Sequence, residues 1–233
     1  MPMNSDAQSA PGTAPDAGAV DATTRSATAP RADLASLASL HARAVRDSVA
    51  LVRRVTPDDL TRPTPCSGWT LADLLAHMTA QHHGFAAAAR GDGRDPAHWA
   101  VHPLGADPVA RYAAAADEVI AAFAAVGTPD QPFALPEFTT VRTFPAHRAI
   151  GFHLIDYLVH TWDVARTLGL DHSPGPALLK AALPIAYAVP DDDSRRAPGS
   201  AFRPALAAVA HAGPLEQILT ALGRSPDWPT PLP

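Results

Sequence analysis

The chain has one cysteine, Cys66, and one lysine, Lys180, among 233 residues. A single cysteine excludes an intramolecular disulfide and, on the same count, a cysteine-built metal centre. Basic residues are scattered arginines with no cluster, and the net charge is -5. That excludes the concentrated positive footprint that nucleic-acid binding requires. No stretch approaches the roughly 18 consecutive apolar residues of a membrane span. The first twenty residues lack the basic region and apolar run of a secretory signal. The expected location is therefore the cytoplasm. The expected partner is a small molecule, with no nucleic acid and no membrane, acting on a monomer or homodimer.

What the sequence does contain is helix. Hydrophobic residues make up 47%, sufficient for one sizeable core. Residues 1–30 are Ala, Ser, Thr, Pro, Gly and Asp with few large apolar side chains. Such a segment buries too little surface to offset its ordering entropy, and it reads as a disordered tail. Apolar spacing predicts helices over about 33–54, 70–89, 108–126 and 146–168. A fifth follows over about 177–188 with Pro184 as an interruption, and a short last one covers 214–222. Thr70-Leu-Ala-Asp73 has the form of a capping box, with Trp69 and Leu74 placed for a hydrophobic staple. Gly127, Gly169 and Gly223 stand where helix stops are expected. Residues 57–69 and 128–145 read as Pro-rich loops, the second with a brief extended piece at 139–144, and 189–212 reads as irregular. The predicted class is all-α: an antiparallel four-helix bundle over 31–170, with a short helical extension over 171–233 packed on it.

The stretch Gly151 to Arg166 sets His153, Asp156, His160 and Asp163 at steps of three, four and three. This spacing stacks all four on one helix face. Their neighbours are apolar, and a charge in such company requires a partner. Bundles build metal sites from inward-facing side chains on different helices. Asp156 and His160, one turn apart, can grip one ion, and His77 on the second helix is the candidate third ligand. Two imidazoles and one carboxylate leave an open coordination position, the pattern of catalytic sites. Zinc suits this set, and iron, nickel and manganese accept it. His153 is then the candidate for proton transfer near the open position. Trp69, Gln81 and Phe85 are candidate substrate liners. A simple Asp–His ion pair and a hydrogen-bonded core histidine remain the alternatives for the same residues. Asp163 can cap, pair with Arg166 or orient His160. Cys66 reads as structural, and His41, His98, His102, His147, His172 and His211 receive no role.

Three motifs carry a resemblance. Thr64-Pro-Cys-Ser-Gly-Trp-Thr70 with Leu74-Leu-Ala-His77, then Asp156-Tyr-Leu-Val-His-Thr-Trp-Asp163, then Leu219-Thr-Ala-Leu-Gly-Arg-Ser-Pro-Asp-Trp228 resemble the DinB-like metal-binding bundles. The nearest likeness is to the mycothiol-dependent maleylpyruvate isomerase N-terminal domain family, over roughly residues 33–228. The resemblance implies a divalent metal, zinc foremost, held by His77, Asp156 and His160, and a low-molecular-weight thiol such as mycothiol. It implies a thiol-dependent isomerase or transferase. The isomerase has Glu where Asp156 stands and a larger C-terminal domain than the residues here supply. Two further readings stay open: a Lewis-acid cyclase, isomerase or hydrolase of a natural-product pathway, and a non-catalytic metal-binding module.

Overall fold

Thr70 starts the helix that frames the site. Its hydroxyl accepts from the Asp73 amide at 3.3 Å, and Asp73 Oδ2 accepts from the Thr70 amide at 2.9 Å. This reciprocal pair satisfies amides that helix α2, Leu71–Ala89, leaves without internal partners. The computed structural model describes residues 34–197, 200–207 and 211–229; the segment read as a tail, 1–30, lies outside them. Helix α1 spans Leu34–Val52. Helix α3, Pro108–Ala124, begins where Asp107 accepts from the Ala110 amide and Pro108 takes the first position. Helix α4, Ala146–Leu168, stops at Gly169, whose φ of 69° ends the helix in the left-handed region.

Helices α1 to α4 pack as a four-helix bundle, with α1 against α4 and α3, and α2 against α3 and α4. The expected extended piece is smaller and displaced. Pro132–Phe133 (β1) pairs antiparallel with Phe144–Pro145 (β2), closing the loop before α4. Helix α5, Pro176–Tyr187, runs on through Pro184 instead of breaking there. Proline removes one helical hydrogen bond, but Leu178, Ala182 and Ala186 are buried in the core beside that position. Packing outweighs the lost bond. Helix α6, Pro214–Ala221, packs on α5, which packs on α4. The irregular segment expected over 189–212 contains a 3-10 turn at Asp193–Arg196. There the buried Arg195 guanidinium donates to the carbonyls of Val189, Pro190, Arg203 and Ala221.

The interior divides into two apolar clusters. One gathers Phe85, Phe123, Phe133, Ile150 and Leu154; the other gathers Val45, Leu71, Leu74, Met78 and Tyr157. Bridging them is a buried layer of His41, His82 and His153, none with exposed surface. His41 Nε2 lies 2.8 Å from His153 Nδ1. The His153 ring stacks on Tyr157 and meets Phe85 and Phe123 edge-on. Trp99 seals one side of α2 at Gly84, where an added Cβ would lie 2.3 Å from the indole.

Candidate metal centre

His77 and Gln81 are one turn apart on α2; Asp156 and His160 are one turn apart on α4. Packing α2 on α4 brings ligand atoms of His77, Asp156 and His160 all within 4.8 Å of one another. His160 Nε2 lies 3.3 Å from Asp156 Oδ1. That is about the edge of a tetrahedron with ~2.0 Å metal bonds. The His77 and His160 rings stand edge to face at 5.5 Å between centroids. Trp69, partly exposed, lies 5.0 Å from the His77 ring. It lies against the imidazole at the start of α2.

The other side of His160 is held by a second group. Nδ1 lies 2.9 Å from Asp163 Oδ2, and Asp163 has no exposed surface. Of the roles open to Asp163, orienting His160 is the one realised; Arg166 binds the Trp228 carbonyl instead. An Nδ1–H bonded to a carboxylate leaves Nε2 on the side of Asp156 and His77, the arrangement that usually supports a metal-binding histidine. Arg224 closes the group. Its Nε donates to Asp163 Oδ1 at 3.1 Å, and its Nη2 to Asp163 Oδ2 at 3.2 Å and to Cys66 Sγ at 3.1 Å. The Cys66 thiol donates to Asp163 Oδ2 at 3.2 Å and stands 3.8 Å from His160 Nδ1.

Cys66, His160 and Asp163 are therefore themselves a metal-compatible set. This corrects the exclusion drawn from the cysteine count. A lone cysteine rules out a multi-cysteine site and not a mixed one. Neither Arg224 nor this role of Cys66 follows from any local spacing. Both depend on segments far apart in sequence meeting behind α4.

The electrostatics follow from the same contacts. Burial, with His160 beside it, pushes the His77 imidazole down to about 4, and Asp156 acts the other way. Burial would lower His160 too, but Asp156, Asp163 and Cys66 override it and hold its pKa well above the usual range. Burial would raise the Asp163 carboxyl; Arg224 and His160 hold it down at about 2. Asp156 is likewise below its ordinary value: burial is outweighed by His160 and then His77.

The remaining candidates are divided. Gln81 is buried at the site, and its amide donates to Glu137 Oε1 at 2.8 Å. Burial pushes the Glu137 carboxyl above the usual range; the Gln81 bond opposes this and the Asp156 charge adds to it. Next in the loop, Phe138 stacks on Phe152, one turn before Asp156. Residues 137 and 138 thus touch α2 and α4 one turn from His77 and Asp156. Phe85 is corrected from liner to core: it packs on Trp99, Phe123 and His153. His153 also belongs elsewhere. Its ring lies wholly in the histidine layer with no exposed surface, and its Nε2 has no hydrogen-bond partner among the described residues. It offers no atom to the open side.

A family model describing the mycothiol maleylpyruvate isomerase N-terminal domain matches residues 41–165, more than half of the chain. The chain belongs to that family. The matched span of this family member holds Cys66, His77, Asp156, His160 and Asp163; Arg224 lies beyond it. Two uncharacterized proteins of Mycobacterium tuberculosis, from strains CDC 1551 / Oshkosh and ATCC 25618 / H37Rv, are each 32% identical over 192 residues. The alignment covers 79% of this chain and 96% of each relative. No solved structure matches it significantly.

Proposed function

We propose that the protein is a metal-dependent enzyme of thiol chemistry. On this reading His77, Asp156 and His160 Nε2 bind one divalent ion, zinc foremost, and the open side receives a low-molecular-weight thiol such as mycothiol. The observation that carries it is the two-sided setting of His160, with one nitrogen fixed by Asp163 and the other aimed at Asp156 and beside His77. The donor set fits the ion: two imidazoles, a carboxylate, a hydrogen-bonded outer support and one side left open. An ion bound there would acidify a coordinated thiol.

The chain's own residues do the rest. Asp163 holds the ligating tautomer of His160. Trp69 shields His77 from water. Gln81 fixes the Glu137 carboxylate one turn from His77. Glu137, with its raised pKa, takes the role of moving a proton between thiol, substrate and solvent. The cytoplasm and a small-molecule substrate complete the reading.

The test begins with elemental analysis of purified protein, then of His77→Ala and His160→Ala. Stoichiometric metal in wild type and its loss in both variants is expected. Mycothiol added to cobalt-loaded protein should give a thiolate-to-metal charge-transfer band. Equal thiol binding by metal-stripped protein would defeat the reading. Turnover of a substrate without any thiol would favour the Lewis-acid alternative, and metal uptake with no thiol binding the non-catalytic one.

A further inference from the structure

We propose that Arg224 is a positioning residue of the metal centre, and that the C-terminal turn carrying it is coupled to ion occupancy. The proposal rests on the metal reading above and names what holds its least replaceable ligand. His160 depends on Asp163 for its tautomer. Asp163, wholly buried, depends on a cation to remain ionised at low cost, since an unpaired buried carboxylate is strongly disfavoured. Arg224 supplies that cation as a planar fork, donating to both carboxylate oxygens.

The fork is delivered by a built turn. The Arg224 amide donates to Leu219 O at 2.8 Å, and the Gly223 amide to Thr220 O at 3.1 Å, at the end of α6. Gly223 sits at φ 75°, and a Cβ there would lie 2.6 Å from Arg203 O. Only glycine lets the chain turn Arg224 inward at this point. Arg195 pins the same turn by donating to Ala221 O at 2.7 Å, and Arg166 holds Trp228 O beyond it.

The guanidinium also decides which metal-compatible set is used. Cys66, His160 and Asp163 could by chemistry hold an ion, but Arg224 Nη2 already lies against Sγ and Oδ2. A second cation is repelled there, so an ion is directed to the Nε2 side of His160. An ion on Nε2 draws electron density from the ring and makes Nδ1–H a stronger donor to Asp163. A more strongly engaged Asp163 in turn holds Arg224. Ion binding and the seating of Arg224 favour each other, and such coupling is reciprocal. Arg224 lies outside the span matched by the family model, so the C-terminal segment contributes to a site whose ligands all lie within it.

Full-length wild type, Arg224→Lys, Arg224→Gln and the double variant Asp163→Asn/Arg224→Gln provide the test. Zn²⁺ affinity is read by competition with a chromogenic chelator, and amide hydrogen exchange is followed over 214–229 with and without Zn²⁺. Arg224→Gln should lose about 10–100-fold in Zn²⁺ affinity, and Arg224→Lys should fall between it and wild type. Zn²⁺ should slow exchange over 219–228 in wild type and leave it unchanged in Arg224→Gln. The double variant, with neither buried charge, should melt near wild type yet bind Zn²⁺ weakly, which separates positioning from folding. A folded double variant of wild-type affinity overturns the proposal alone. So does wild type that binds Zn²⁺ with unchanged exchange over 214–229. Wild type that takes up no Zn²⁺ overturns the metal reading and this proposal together.

Discussion

Two side chains show how much single atoms decide. Glu137 accepts from Gln81, one turn from His77 on α2, and its carboxyl feels the Asp156 charge. Glu137→Gln should keep metal stoichiometry and thiol binding while turnover falls about 10²–10⁴-fold, the range of a lost general acid or base. Loss of metal from that variant would make Glu137 a structural support instead. His82 is the contrary case. Both its ring nitrogens are buried with no hydrogen-bond partner among the described residues, and it stacks on Tyr157. His82→Phe keeps the stacking and removes two unsatisfied polar atoms. It should stabilise the fold by about 1–3 kcal/mol, the desolvation cost of such groups, measured by urea unfolding. A lower midpoint would mean those nitrogens are hydrogen-bonded in solution.

Among elements, α2 carries the clearest conflict between intrinsic preference and packing. Glycine inside a helix is normally about 0.5–1 kcal/mol worse than alanine. At Gly84 the sign reverses, because a Cβ would sit 2.3 Å from the rigid Trp99 ring, itself anchored by Nε1 donating to Gly93 O. Gly84→Ala should destabilise by about 1–3 kcal/mol and, seven residues from His77, leave zinc uptake intact. A stabilised variant would show that the indole moves aside freely. Elements also explain what was legible in advance. The α4 stripe and the α2 cap follow from spacing within one helix, so Asp156, His160 and the Thr70 box were readable. His77 required the guess that α2 faces α4. His41, given no role from the sequence, lies within α1 and meets His153 across the bundle. Such meetings are set by how helices rotate against each other, which no single periodicity fixes. Glu137 escaped for a related reason: loop conformation, not pattern, turns it toward Gln81.

At the scale of the whole molecule, the histidine layer ties stability to pH. Burial pushes His41 down to about 3 and His82 and His153 well below 6.5. A group with a folded pKa below its unfolded value binds fewer protons when folded. Unfolding therefore takes up protons below pH 6.5, and stability falls as pH falls. A ring that stays neutral in the fold but takes up a proton on unfolding favours the unfolded chain in acid. The three rings act in the same direction. His77 adds in the same direction. His160 opposes: its raised pKa makes its contribution complete below about 6.5, and that contribution is lost as pH rises through the folded value. Metal-free protein should thus lose stability as pH falls from 7 to 5, and His82→Phe should lessen that loss. An unchanged urea midpoint from pH 7 to 5 would contradict this.

The position of Trp69 has a consequence of a different kind. Of the four tryptophans, Trp99 and Trp162 are buried and Trp228 is partly covered, whereas Trp69 is the most exposed and lies against His77. Its indole is thus a built-in optical probe. Red-edge emission should come mainly from this one ring, and its intensity should change when the neighbouring imidazole gains or loses a charge. The arrival of an ion can therefore be timed by stopped-flow fluorescence in the unlabelled protein, with Trp69→Phe as the dark control.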